Sequence, residues 1–589
     1  MVAEEFDIHT IDTDVLVVGT GPTGLTATNI LAAAGVPALT ISQYVGTAHT
    51  PRAHITNART MEIFRDLNVE DRLHAVGYPL AVYSHNLLTT SWAGPEIARY
   101  KSYGSPVDRL SDYAAASPTG GWNIQQILME PVLLDAARER GADVRFNMRL
   151  LGLEQTPDGV VSRVLDRQSG AEYEVRSKYV IGADGGNSTT ASAVGIEFAG
   201  QAGLRGMANC WIEADLEKYA AYRPSVLNWV AQPGHEAWFG TASWVMIRPY
   251  NEWVMVFPWN AEDKPSESDV LERARITIGD PDVEVKIKGI STWSVNNVVA
   301  KQYRKGRVFL AGDAAHRHPP AGGLGTNTSV QDAFNLCWKL IAVLQGKAGD
   351  GLLDSYSDER RPVGAEVVRL ANETFGYLAS FVAAMGLKAD QSVDDGWAAL
   401  RELYEDSPRA TERRRVLRSE IGKQHYRSNA LGVELGQRYE SAAVAGDGTP
   451  FPDLTRDATL YYEPTSHPGS TIPHAWIEHE RKQVSTIDLA GHGKFSVFVG
   501  IGGAPWIKAA EDVAGEFGID INVYQVGLRC EYDDVVGEWE DAREVGDQGA
   551  ILVRPDRYVA WRSMGLAAEP SKELAAAFAQ VLSRTDTNH

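Results

Sequence analysis

The strongest constraint on this chain lies near its start, where the apolar run Asp14-Val-Leu-Val-Val18 meets Gly19-Thr-Gly21-Pro22-Thr23-Gly24 and then the helix-forming stretch Leu25–Ala34. A short β-rich run without polar alternation reads as a parallel strand buried on both faces. Gly35 ends the helix, and Val36–Ser42 supplies a second strand, so the segment forms a βαβ unit. In such a unit Gly19 allows the tight turn and Gly21 lets a pyrophosphate approach the backbone. Gly24 permits close packing of helix on sheet. The helix opening at Pro22 and Thr23 presents free N–H groups to phosphate. The pattern predicts a dinucleotide site. The acidic ribose ligand usual at the end of the second strand is replaced by Ser42 and Gln43, whose side chains can still hydrogen-bond a ribose.

Two further loops carry the same grammar. Val180-Ile-Gly182-Ala-Asp184-Gly185 ends a strand in Asp-Gly. Gly312-Asp313-Ala-Ala-His316 ends another and leads through Pro319-Pro320-Ala-Gly322-Gly323-Leu-Gly325-Thr326-Asn327 into a long helix. The Asp313 carboxylate suits a ribityl or ribose hydroxyl. Amides near Gly325, Thr326 and Asn327 suit the negative charge of a reduced isoalloxazine. Three such loops in this order point to FAD.

The composition narrows the partners. A length of 589 residues suggests roughly three to four domains, and a hydrophobic share of 44% fits a folded chain. The net charge of −21 argues against nucleic acid and anionic membrane surfaces. Cys210, Cys337 and Cys530 form no C-x-x-C pair, so no disulfide framework, zinc site or dithiol centre is expected, and a reducing cytoplasm fits. The acidic N-terminus lacks the features of a signal peptide. The charge-free stretch Val15–Thr50 is broken by Gly, Pro, Thr and Ser, which excludes a membrane span. His316 and His318 have no neighbouring carboxylate or thiol set, so no metal site is predicted.

Elsewhere, Thr56–Leu73 reads as helix, with Met61, Ile63, Phe64, Leu67 and Leu73 inward, and Gln126–Gly141 as another. From about Met207 to Trp293 aromatic and polar residues alternate between turn signals, predicting an antiparallel sheet that walls an aromatic-lined pocket. A late run of strands and a helix predicts a separate C-terminal α/β unit. The expected fold class is α/β: a Rossmann-like FAD domain with an inserted antiparallel-sheet substrate domain and a C-terminal thioredoxin-like domain. Boundaries fall at 1–195 (with 80–120 contributing to the pocket), 196–295, 296–385, 386–430 as linking helices and 431–589.

The strings Thr50–Leu67, Tyr179–Gly185, Gly312–Leu340 and Arg554–Arg562 resemble the class A flavoprotein aromatic hydroxylases, which have the p-hydroxybenzoate hydroxylase fold, and within them the phenol-hydroxylase branch. The resemblance runs over nearly the whole chain. It implies the thioredoxin-like reading of the C-terminal domain, with the redox cysteines absent. It also implies transient NADH or NADPH as reductant, dioxygen as co-substrate and a hydroperoxyflavin that hydroxylates a small phenolic compound, ortho to its hydroxyl. The implied flavin contacts include Arg52, Arg59 and Gln126, and the substrate pocket includes Trp229 and Pro320. His54 stands beside the substrate hydroxyl, and Arg248 handles the nicotinamide. Asn123 departs from the family, where close relatives carry Asp. An amide cannot take a proton near neutral pH, so His54 assists ionisation alone or the substrate needs little help. Two other readings stay open: an FAD epoxidase, Baeyer–Villiger enzyme or oxidase on an aromatic or polyketide-like substrate, and a non-enzymatic dinucleotide sensor. A homodimer or higher homo-oligomer is expected.

Overall fold

The computed structural model describes residues 9–236 and 238–584. Its first sheet has eight strands, with the main path Arg304–Lys305, Val308–Leu310, Glu172–Gly182, His9–Val18, Ala38–Ile41 and Asp143–Arg145. From Val308–Leu310 to Asp143–Arg145 all neighbours are parallel. Val15, Leu16 and Val17 are completely buried, as an apolar strand covered on both faces must be. Helix Pro22–Ala33 packs against helices Leu324–Leu344 and Gln126–Glu139. The hairpin Met148–Gln155 and Val160–Asp166 extends the sheet from the first half of Glu172–Gly182.

The second sheet also has eight strands, in the order His316–Arg317, Lys286–Ala300, Phe198–Glu213, Glu252–Pro258, Ala242–Arg248, Ser225–Val230, His85–Thr89 and Glu96–Lys101. All pairings are antiparallel except Ser225–Val230 with His85–Thr89. The period-two alternation divides its side chains. Ala242, Trp244, Met246, Trp253, Met255 and Phe257 pack with helix Glu267–Ile278. On the other face Trp229, Val245 and Val256 join Ile55 and the far end of the 31-residue helix Asp354–Ala384.

Three sequence expectations need correction. Strand Lys286–Ala300 continues past residue 295 because its last residues still pair with Phe198–Gln201. The single helix expected over Thr56–Leu73 is two, Ala58–Asp66 and Glu70–His74, because Asn68 between them takes a left-handed φ of 53°. All five predicted inward residues are nonetheless buried. Finally, the segment 386–430 does more than link: Leu400 and Leu417 from helices Val393–Glu402 and Pro408–Lys423, with Leu403 just after the first of them, are buried beneath the aromatic face of the second sheet.

The C-terminal sheet runs Ile521–Gln525, Phe495–Val499, Ala550–Val553, Val559–Ser563. The first pair is parallel and the other two are antiparallel. Helices Ala504–Phe517 and Pro570–Val581 cover it. Among the described residues no helix is long and apolar enough to cross a membrane.

Candidate active site

Val18, Gly182 and Leu310 are register partners on three adjacent parallel strands, so the three glycine loops leave the same edge of one sheet. They also touch. A Cβ on Gly19, where φ is 116°, would collide with the carbonyl of Ala183, and one on Gly312 would collide with Thr23 Oγ1. A Cβ on Gly24 would enter the Gly19 carbonyl, whereas one on Gly21 would meet nothing within 4 Å. Gly19, Gly24 and Gly312 are therefore packing glycines. Gly21 borders open space at the N-terminus of the helix that Pro22 and Thr23 begin, the geometry that receives a pyrophosphate.

Around this edge the predicted residues divide. Asp313 is exposed and, among the described residues, its carboxylate makes no hydrogen bond or ion pair, so it is available to a ligand hydroxyl. Asp184 instead accepts from Ser188 Oγ at 2.6 Å and from Thr190 N at 2.9 Å, bracing the loop of Gly185 around the short helix Thr189–Val194. Ser42 is buried at the tip of the second strand, and Gln43 beside it is exposed. Gln126 opens its helix and donates to Glu130 Oε1 at 2.6 Å; the amide of Ala48 donates to Glu130 Oε2. Burial raises the Glu130 carboxyl, and these bonds with the nearby Arg52 cation offset part of the rise. Arg52, Gln126 and Glu130 thus form one polar cluster, and Glu130 is a member that sequence reasoning missed, although its spacing of four from Gln126 places both on one helix face.

Helix Leu324–Leu344 starts from two left-handed glycines, Gly322 and Gly323, and a Cβ on Gly323 would lie 2.6 Å from that of Ile55. Gly325 and Thr326 in its first turn are half-buried, and Pro320 is exposed. Asn327 has another task. Its Nδ2 donates to Ile55 O at 2.9 Å and its Oδ1 accepts from Asn57 N at 3.0 Å, tying the helix start to the segment after His54. Arg59 requires a correction as a flavin contact: its guanidinium pairs with Glu62 at 2.6 Å and Thr471 Oγ1 at 2.9 Å, in the seam with the C-terminal segment. The carboxylate three residues along its own helix captured it.

His54 and Asn123 stand beside each other, brought together because Ile55–Thr56 and Trp122–Asn123 pair as antiparallel strands. Burial lowers the His54 pKa to about 4, and the Asn123 side chain opposes this only in part. His54 is thus neutral near pH 7, and its Nδ1 is enclosed without a partner. Asn123 Nδ2 donates to the Tyr78 hydroxyl and, at 3.2 Å, to Met246 O, which also accepts from Tyr78 at 2.8 Å and from Gln125 at 3.1 Å. Tyr78 and Gln125 had no local signal in the sequence. Trp229 is buried with its ring 5.1 Å from that of Phe239. Arg248 lies apart at a strand end, its side chain 60% exposed and 3.3 Å from Glu252, which Lys288 shares.

An open glycine cradle, an unpaired carboxylate at Asp313 and a glycine-led helix start on one sheet edge fit an FAD. The comparisons with known proteins agree. The family described as "FAD binding domain" matches residues 12–371, and "Aromatic-ring hydroxylase, C-terminal" matches 465–585. The chain is 44% identical over 577 residues to 2,4-dichlorophenol 6-monooxygenase of Delftia acidovorans, covering 97% of this chain and 98% of that one. It is 38% identical to phenol 2-monooxygenase of Pseudomonas sp. (strain EST1001), covering 96% and 92%. Among solved structures it is similar to the flavin-dependent monooxygenase PieE in complex with FAD and substrate, with TM-score 0.94, 43% identity and coverage of 98% and 100%. Family, fold and site geometry together lead to one conclusion: this chain belongs to the FAD-dependent aromatic-ring hydroxylases, as a flavin monooxygenase of their phenol-hydroxylase branch.

Proposed function

We propose that the protein hydroxylates a small phenolic compound, ortho to its hydroxyl, using FAD, dioxygen and transient NADH or NADPH. The observation that carries this reading is that three strand-end loops leave one sheet edge, the third packed on Ile55 next to His54, below a sheet whose inner face is aromatic. The names of similar proteins, monooxygenases of phenol and dichlorophenol, support the substrate class and weigh against the epoxidase, Baeyer–Villiger and oxidase alternatives.

Bound FAD supplies two-electron reduction by the nicotinamide and activation of dioxygen. The chain's residues do the rest. Gly21 and the helix behind it hold the pyrophosphate, with Arg52 and Gln126 alongside, and Asp313 grips a sugar hydroxyl. The first turn at Gly325 and Thr326 offers N–H groups to a negatively charged ring edge. Neutral His54, with Nδ1 free, accepts a hydrogen bond from the substrate hydroxyl and so orients the phenol ring in the pocket. Asn123 takes no proton; it fixes Tyr78 and the Met246 carbonyl around the histidine. Apolar side chains around Trp229 would exclude water, whose entry would favour loss of the activated dioxygen as hydrogen peroxide before transfer to the substrate. Arg248 stands exposed where a transient nicotinamide cofactor can reach it.

The same reading divides the chain into an FAD unit (1–195 and about 301–385), an inserted substrate sheet, covering helices and a thioredoxin-like C-terminal unit from 431. The strand order of that last unit, second, first, third, fourth with the third reversed, supports the assignment. A cytoplasmic homo-oligomer is the proposed form. Purified protein should be yellow, and phenol or 2,4-dichlorophenol should accelerate NAD(P)H and oxygen consumption and yield a ring-hydroxylated product carrying one atom from labelled dioxygen. A colourless protein that cannot be reconstituted with FAD would end this reading.

A further inference from the structure

Among the described residues, the four arginines with fully buried side chains each have a carboxylate partner. Arg223 pairs with Glu96, Arg360 with Asp332, Arg554 with Glu359 and Asp556, and Arg557 with Asp66. Arg427 differs. It lies half-buried in the short helix His425–Ser428, and among the described residues its guanidinium has no ion pair and no hydrogen bond; Nη1 is sealed from solvent with nothing to donate to. Its charged and titratable neighbours offer no anion. Tyr100 and Tyr103 are enclosed phenols whose pKa values burial raises, and Glu434, beyond Tyr103, is pushed by burial to about 8. Burial disfavours the charge on Arg427 too, yet a guanidinium does not deprotonate near neutral pH. A guanidinium nitrogen sealed from water with no acceptor is costly to keep.

Its position gives that cost a use. The guanidinium carbon lies 4.7 Å from the centroid of the Trp229 ring, and Trp229 packs in one cluster with Ile55, the residue after His54. The carbonyl of Arg427 stands 3.0 Å from where a Cβ on Gly322 would lie, so the residue adjoins the glycine turn that opens the flavin-side helix. We infer that Arg427 is the anion-recognition residue of the aromatic pocket, selecting acidic phenols by binding their oxyanion while Trp229 backs the guanidinium. This rests on the aromatic-hydroxylase reading and deepens it. With Asn123 in place of a carboxylate and His54 neutral, the cation supplies the electrostatic help to phenol ionisation that no base nearby provides.

The probes are 4-nitrophenol, whose absorbance reports its own ionisation, and the neutral 4-nitroanisole, both titrated into the FAD-loaded protein. Bound 4-nitrophenol should ionise at lower pH than free. Arg427→Met should weaken 4-nitrophenolate on the order of 30-fold, leave 4-nitroanisole unchanged and abolish the ionisation shift, while Arg427→Lys should recover part of each. FAD content and the melting midpoint identify a misfolded variant. Were Arg427→Met not to fold, Arg427→Gln and the wild-type ionisation shift carry the same decision. An unchanged ratio of the two affinities in a folded variant, or a wild type whose bound 4-nitrophenol ionises no more readily than free, overturns the assignment. A protein that shifts 4-nitrophenol but consumes no NAD(P)H with any phenol would keep Arg427 and remove the hydroxylation instead.

Discussion

At the residue scale the proposed chemistry rests on His54 and Asn123, and each has a physical consequence beyond activity. The proposed role of His54 as acceptor of the substrate hydroxyl predicts that His54→Phe lowers kcat/KM for phenols by about 100-fold, with flavin content unchanged by absorbance. The low His54 pKa, and those of His318 and His474, also near 4, tie stability to pH. Unfolded histidines titrate near 6.5, so between 6.5 and 4 the unfolded chain binds more protons and stability falls as pH falls. Each contributes about 1–2 kcal/mol once solvent screening is allowed for. Urea midpoints measured from pH 7 to pH 4 should drop across that window, and His474→Gln should flatten the drop. Asn123→Asp loses two donations and sets a carboxylate against the Met246 carbonyl in a site only 1% exposed. A buried carboxyl has a raised pKa, so its penalty grows as pH rises above the unfolded value near 4. We expect a loss of about 2–4 kcal/mol at pH 8, shrinking toward pH 5, in paired urea titrations.

The βαβ element separates two kinds of glycine that look alike in sequence. Gly24→Ala drives a methyl into the Gly19 carbonyl, and a backbone cannot move aside cheaply, so a loss of about 3 kcal/mol or more is expected by calorimetry. Gly21→Ala meets nothing within 4 Å and has φ −71°, which alanine adopts without strain. That variant should fold with a near-native midpoint yet retain FAD at least about 10-fold less tightly, because the added methyl occupies the approach of the pyrophosphate. Equal effects from the two substitutions in FAD titration and melting would contradict the division of roles. Asn327 carries a structural task in its side chain, the clip that sets its helix start against residues 55–57, while its backbone belongs to the helix start read as facing the cofactor.

Over the whole molecule, the C-terminal unit is fastened to the FAD unit through buried charge. Glu359 receives Arg554 at 2.6 Å and Lys339 at 2.6 Å, and Asp556 receives Arg554 at 2.6 Å, all with side chains at most 2% exposed. Burial alone would raise the Glu359 carboxyl, but the two cations outweigh it and hold it well below the usual range. Burial lowers Lys339 to about 8, with Glu359 opposing. Breaking a buried pair strands the remaining charge, at about 3–5 kcal/mol. Glu359→Gln should therefore split the unfolding transition in scanning calorimetry, the C-terminal unit melting first, whereas Arg562, paired with Asp447 and Glu544 inside that unit, should shift only its own melting when replaced.

The strand-loop-helix signature around Gly19, the Asp-Gly turn at Asp184 and the Gly312–Asn327 string were legible because their meaning is local: turn conformation, helix polarity and apolar runs are written in consecutive residues. The aromatic sheet was legible from its alternation of two. Long-range pairing was not. That Arg59 would be taken by Glu62 and Thr471, that Tyr78 would hold Asn123, and that strands at 85–89 and 96–101 would close the sheet depends on segments up to 412 residues apart. Arg427 is the sharpest instance. Local sequence shows an arginine in a charged helical region, and only the packing of residues 100–103, 229 and 322 around it leaves its guanidinium unpaired with one nitrogen sealed from water. Sequence alone determined which backbone shapes this chain can make. Tertiary structure decided which charges are neutralised within the protein and which remain for a ligand, because pairing energy depends on distance and burial, and neither is a property of a residue's neighbours in sequence.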